Sequence, residues 1–242
     1  MIKMLDEESL AAARRYCEGD PFGCRILGAL LAYGLDKPFA QFWAQYDDKG
    51  NMTAVIDKLD VAMTVCAKGD YDAEEVDEFV SANVGYMGAL RSVREGESAS
   101  GLVMRLGGRK NRESSGEVEL NPEISDLHAV LEECAGTGFE VPDFDSFYSD
   151  MIYRRKAKSV LTAVVRDEGL PAACGAMHLS ASTGVLVMCA AVPEHRGKGY
   201  TGQVINALLD RTAGRDIYLM CLPSLHGFYE KFGFVTVGGF VY

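Results

Sequence analysis

Apolar and polar positions alternate along this chain in segments that read as a succession of helices and strands. Glu7 to Tyr16 predicts a helix, Asp20-Pro21 breaks it, and the apolar stretch Cys24 to Tyr33 predicts a second helix. Phe39 to Tyr46 reads as a strand, Asp47 to Asn51 as a hairpin turn and Met52 to Leu59 as the return strand. Val61 to Ala67 predicts a third strand. Glu74 to Ala82 carries Val76, Phe79 and Val80 at helical spacing, and Val84 to Leu90 leads into another strand.

From Arg91 to Asn121 the pattern changes to polar, glycine-rich runs, with one short apolar piece, Leu102 to Leu106. This places a domain junction there. Beyond it, Pro122 to Ala135 and Asp143 to Arg155 predict helices. Val160 to Arg166, Ala172 to Leu179 and Val185 to Ala191 predict antiparallel strands, and an amphipathic segment from Gln203 to Leu209 precedes the strand Ile217 to Cys221. The expected organisation is an N-terminal α+β lobe over 1–91, a linker over 92–121 and a second α/β (α+β) domain over 122–242. In this domain, helices are expected to flank a mixed, mostly antiparallel sheet. The first lobe repeats part of the second one's order, which suggests either a degenerate copy or an unrelated α+β domain.

At 242 residues, with 48% hydrophobic and 24% charged positions, the composition is that of an ordinary globular protein. No apolar run reaches the length of a membrane span, and the N-terminus lacks the apolar core of a signal peptide. Seven cysteines are scattered singly, without a Cys-x-x-Cys or a His/Cys cluster, so they read as reduced thiols of a cytoplasmic protein and no metal is expected. A net charge of −11 argues against general nucleic-acid binding and permits steering of a cationic amine.

The most telling stretch joins the apolar run Val185 to Val192, the basic glycine-rich turn Glu194 to Gly202 and the amphipathic segment after it. Strand, glycine-rich turn, helix is a physical recipe for an anion site. Glycines let backbone N–H groups come close, and the helix N-terminus adds partial positive charge. There is no Walker loop. Gly197, Gly199 and Gly202 fit Gly-x-Gly-x-x-Gly, but the acidic residue at the required distance, Asp216, precedes its strand instead of ending it, so the dinucleotide reading is rejected.

The turn, Arg196-Gly197-Lys198-Gly199-Tyr200-Thr201, resembles the acetyl-coenzyme A loop Arg/Gln-x-x-Gly-x-Gly/Ala of the GNAT N-acetyltransferase superfamily, with Thr201 departing from the last position. The downstream Tyr229-Glu230-Lys231-Phe232-Gly233-Phe234 resembles that family's Tyr-x-x-x-Gly-Phe ending. The resemblance covers about residues 123–242. It implies that acetyl-CoA is held by Arg196, Gly197, Lys198, Gly199 and Thr201, that the Ala190 N–H polarises the thioester, and that Val192 pairs with the pantetheine amides. It further implies that Tyr229 is the general acid. The expected reaction is acetylation of a primary amine, on a small molecule or peptide, by direct attack. The rival reading is a non-catalytic acyl-CoA-binding module with Tyr229 idle. No general base is assigned. Glu194, His195, His178 and His226 are conceivable, and Cys189 reads as core.

Overall fold

The computed structural model describes residues 1–84, 88–109, 117–136 and 141–242. The chain opens with a strand the pattern did not predict, β1 (Ile2–Met4). There follow α1 (Glu7–Cys17), α2 (Pro21–Tyr33), β2 (Ala40–Tyr46), β3 (Met52–Leu59), β4 (Ala62–Ala67) and α3 (Ala73–Val84). Three strands come next, β5 (Arg91–Ser92), β6 (Gly101–Leu106) and β7 (Val118–Leu120), and then α4 (Ile124–Glu132) and α5 (Phe144–Lys156). The remainder is β8 (Val160–Asp167), β9 (Leu170–Leu179), β10 (Thr183–Ala191), α6 (Tyr200–Arg211), β11 (Asp216–Cys221), α7 (His226–Glu230) and β12 (Phe234–Val241). Among the described residues no helix is long and apolar enough to cross a membrane.

Local chemistry sets the helix starts. Asp6 and Ser9 form a capping box on α1, each side chain accepting the other's backbone N–H at 2.9 Å. Asp20 accepts from the N–H groups of Phe22 and Gly23, both at 2.8 Å, and Pro21 takes the first helical position, where its missing N–H has no partner to lose. The Asp20-Pro21 pair therefore opens the second helix as well as closing the first. Asp143 caps α5 in the same way, accepting from Ser146 N–H.

The strands form a four-stranded sheet, β1-β2-β3-β4, and an eight-stranded sheet, β5-β12-β6-β11-β10-β9-β8-β7. Past α3, Leu90 bridges Thr64 of β4 in parallel, and the chain then enters the larger sheet as β5. Both halves thus run strand, helix, helix, three antiparallel strands, helix, and then backbone parallel to the third strand, as the strand β11 in the second half and as the single bridge at Leu90 in the first. The part of the predicted Val84–Leu90 strand at 85–87, and 110–116 of the polar run, lie outside the described residues.

The stretch 92–121, expected as a linker, supplies strands to the larger sheet. β6 lies between β11 and β12 and pairs antiparallel with both, while β7 forms the far edge against β8. Leu102 to Leu106 is apolar because it is interior sheet, with Val103 and Met104 buried. The halves also share a core: Phe22, Ile26 and Phe42 belong to one buried cluster with Val103, Val185, Tyr218 and Phe240.

Polar groups are buried at the same junction. Arg154 of α5 is 5% exposed and donates from Nε to both oxygens of Asp150, at 2.8 and 2.9 Å. Its Nη1, the Nε of Arg25 on α2 and both ring nitrogens of His178 on β9 are buried with no hydrogen-bond partner among the described residues. Burial, with Arg154 and Arg25 nearby, holds His178 well below the usual imidazole range.

Candidate functional site

β10 and β11 run parallel only from Thr183–Leu186 against Asp216–Leu219. Beyond that point β10 stays with β9 and β11 stays with β6, so the centre of the sheet opens into a fork. Exposure follows the geometry: Thr183 to Leu186 are buried, and Val187 to Val192 are half-buried. A β-bulge marks the divergence. Val187 faces Ala176 but Ala190 faces Cys174, and Met188 takes φ 56°, a left-handed backbone unusual outside glycine.

Hydrogen bonding past the bulge fixes where the backbone points. The Val192 N–H donates to the Ala172 carbonyl at 3.0 Å, and the Val192 carbonyl accepts from His195 N–H at 2.9 Å. Antiparallel pairing alternates, so Ala190 also turns its N–H toward β9, beside Cys174, while Ala191 turns its own away, toward the fork. Ala190 and Val192 spend their backbone groups inside the protein, and Ala191 presents the N–H at the opening. Its carbonyl is on the same side, accepting from Arg196 Nε at 3.2 Å and from the Cys134 thiol at 3.3 Å.

The glycine-rich turn sits at the mouth of the fork. Gly197 has φ 79° and Gly199 φ 85°, and a Cβ on either would meet nothing within 4 Å. Their need is conformational, and space is left above them. Gly199 is the N-cap of α6 and offers no side chain, so the first N–H groups of the helix, at Tyr200, Thr201 and Gly202, have no side-chain cap. Thr201 is half-buried in that first turn. The predicted helix thus begins three residues before Gln203, at the turn itself. Arg196 is exposed beside it, its guanidinium bridging from the Ala191 carbonyl to Cys134 Sγ at 4.0 Å.

Lys198 is tied down instead of free. Its ammonium donates to Asp167 Oδ2 at 3.0 Å, His195 Nδ1 lies 3.0 Å from the same oxygen, and the Tyr200 hydroxyl also bonds Asp167. Lys198 and then Tyr200 hold the Asp167 carboxyl below the usual range. Asp167 ends β8, and its sequence neighbourhood, Asp-Glu-Gly, reads only as a turn. Nothing local marks it as the residue that braces the loop, nor Cys134 as a neighbour of Arg196.

Tyr229 closes the fork from the β11 side. It is buried on α7, edge-on to Phe228 with ring centroids 5.0 Å apart. Burial first, then the neighbouring thiols of Cys189 and Cys221, push its phenol further above its ordinary pKa of 10, so it keeps its proton. Among the described residues its hydroxyl has no hydrogen-bond partner. Cys189, expected in the core, is half-buried and packs against the core cluster that also holds Tyr229. The conceivable bases are dispersed: His178 lies between the halves, His195 is held by Asp167, His226 lies 3.5 Å from Glu230, and Glu194 is exposed.

Comparison with known proteins agrees with this geometry. Residues 124–234 match the model of the acetyltransferase (GNAT) family. Among solved structures, a GNAT-family acetyltransferase from Colwellia psychrerythraea is 14% identical, covering 99% of this chain and 97% of its own, with TM-score 0.56. A tandem GNAT protein from the clavulanic acid biosynthesis pathway is 10% identical over 100% of this chain and 96% of its own, at 0.59. A GCN5-related N-acetyltransferase from Sphaerobacter thermophilus is 14% identical over 100% and 93%, at 0.60. At such identities the likeness is one of fold, and it runs through both halves. No curated protein sequence matches the chain. The forked sheet and the uncapped glycine turn agree with the family match, and the C-terminal part of the chain, residues 124–234, is a domain of the acetyltransferase (GNAT) family.

Proposed function

We propose that the protein transfers an acetyl group from acetyl-CoA to a primary amine on a small molecule or peptide. The observation that carries the reading is the uncapped start of α6, with Gly197 and Gly199 left-handed and open above, at the mouth of the β10–β11 fork. Orphan N–H groups at a helix N-terminus suit a pyrophosphate, and Arg196 adds a full charge once it swings from the Ala191 carbonyl. Lys198, clamped by Asp167, shapes the loop and lends charge at longer range. In this reading Ala191 gives and takes backbone hydrogen bonds with the pantetheine arm as an added strand would. The bulge at Met188–Cys189 leaves donors near the thioester oxygen, where developing negative charge needs them.

The amine nitrogen attacks the acetyl carbonyl, the carbon–sulfur bond breaks, and Tyr229 donates its phenolic proton to the departing sulfur. The amine's surplus proton leaves to water. A phenol that burial keeps protonated suits the acid role.

For domain organisation, we read residues 1–91 as a second copy of the same fold, on the shared element order of the two halves. It has no counterpart of the Gly197–Gly199 turn: after β4 the chain runs Lys68-Gly69-Asp70-Tyr71-Asp72 into α3. Cofactor binding is then confined to the second copy.

Calorimetric titration of acetyl-CoA tests the proposal. Saturable binding by the wild type, lost in Gly199→Glu, followed by release of free CoA thiol with an amine panel, is the expected result. No binding by folded wild type would refute it.

A further inference from the structure

The far end of α6 carries a second pocket that the transferase reading does not use. It is an open cleft of about 550 Å³ between the ends of α5, α6, β7, β8 and β9. That is ample for a small metabolite. Arg155, Lys158, Arg211 and Arg215 all line it, with Asn121, over an apolar wall that includes Leu161. With 12 residues in α6, it lies roughly 18 Å from the glycine turn at the other helix end.

The charge is unusual for this molecule. The chain has 35 acidic against 24 basic residues. Yet none of these four cations has a carboxylate within ion-pair distance among the described residues. Neighbouring acids are taken or distant: Asp210 pairs with Arg109, Asp216 with Arg105, and Glu123 acts on Arg155 only through space. Arg155 is held in place from Nη2 by the Pro122 carbonyl at 2.7 Å and the Thr162 hydroxyl at 2.9 Å, and its Nε is buried with no hydrogen-bond partner among the described residues. Arg215 is fixed by the Ser180 carbonyl at 3.2 Å.

Cations in the last turns of α5 and α6 complement helix C-termini. That accounts for Arg155 and Arg211. Lys158 and Arg215 lie beyond the helix ends, and Lys158 takes φ 55° where glycine or asparagine is the usual choice. A strained lysine facing three unneutralised arginines needs another explanation. Planar guanidinium forks match phosphate oxygens, and four charges suit an anion of charge two or more.

We propose that this pocket binds a small phosphorylated molecule, through its phosphate or pyrophosphate group, at a site separate from the acyl-CoA loop. An occupant there sits at the opposite end of α6 from the acyl-CoA loop, so it acts as an effector and not as the acetyl acceptor.

The test titrates inorganic pyrophosphate, and orthophosphate in parallel, into the full chain carrying Gly199→Glu, which disables the loop at the other end of α6. Saturable binding of one pyrophosphate per chain is expected. Adding Lys158→Gln and Arg211→Gln, both at exposed positions that leave the fold intact by circular dichroism, should weaken it at least tenfold. Tighter binding of pyrophosphate than of orthophosphate identifies the longer anion as the better fit. Absence of saturable binding in folded Gly199→Glu, or binding indifferent to Lys158→Gln and Arg211→Gln, overturns the proposal. Should Gly199→Glu fail to fold, wild type saturated with acetyl-CoA replaces it and is judged by the same two substitutions. Loss of acetyl-CoA binding alone would bear on the transferase reading and leave this one standing.

Discussion

The Val192 N–H donates to the Ala172 carbonyl at 3.0 Å, and that bond sets the direction of the neighbouring backbone groups. Because antiparallel ladders alternate, Ala191 faces the fork and Ala190 does not. Replacing Ala191 with proline deletes an N–H that faces the opening while sparing the bonds to β9. Ala191→Pro should weaken acetyl-CoA binding about tenfold, the scale of one lost hydrogen bond, with the melting temperature nearly unchanged. Calorimetry beside thermal unfolding checks this, and undiminished affinity would return the contact to a different residue.

Tyr229 gives a cleaner separation of chemistry from stability. Its ring packs on Phe228, and among the described residues its hydroxyl has no hydrogen-bond partner. Tyr229→Phe should therefore keep the fold and the KM for acetyl-CoA, and lower kcat about 100-fold, as expected for loss of a general acid. A wild-type kcat in the variant would leave the hydroxyl without a catalytic role.

The position of β6 makes the C-terminal part dependent on the residues before it. A chain beginning at Pro122 lacks the strand between β11 and β12 and also the β7 edge. It exposes Met104's neighbours Leu219 and Phe234, both about 1% exposed in the whole chain. Such a fragment should be unfolded or aggregated despite containing the whole family match, because open interior strands template association. A fragment beginning at Gly88 regains β5, β6 and β7 but still lacks the α2 side of the shared core. Circular dichroism and size-exclusion chromatography decide. A cooperative, monomeric 122–242 fragment would contradict the argument.

Asp57 is a buried carboxylate between the halves. Its oxygen accepts the Thr64 N–H at 2.9 Å, and burial lifts it from 3.8 to about 6 against the pull of Arg25 and Arg154. The folded value lies above the unfolded one, so folding favours the protonated form. That contribution is full below about pH 4 and is lost as pH rises through 6, at most about 3 kcal/mol. Asp57→Asn keeps an acceptor for Thr64 and removes the titration. The variant's melting temperature relative to wild type should rise by several degrees between pH 4 and pH 7. A difference that stays flat over that range would show that Asp57 does not titrate there.

What could be read in the residues was whatever is chemically local. Asp6, Asp20 and Asp143 cap helices because each side chain reaches N–H groups two or three residues on. Gly197 and Gly199 make a left-handed turn because only glycine does so without strain, and Arg196 and Tyr229 stand at fixed distances from it along the chain. Most of the helices and the strands outside 92–121, the glycine turn and the family resemblance therefore come from sequence alone. Only the tertiary structure decided the rest. Strand pairing is non-local, so nothing in Leu102–Leu106 says that it enters the sheet between β11 and β12 instead of bridging two lobes. The bulge at Met188 changes which way each later N–H points, and a one-residue register difference exchanges Ala190 for Ala191. Asp167 reaches Lys198 across 31 positions, and Lys158 meets Arg211 and Arg215 from a separate helix end, because folding and not spacing brings those charges together.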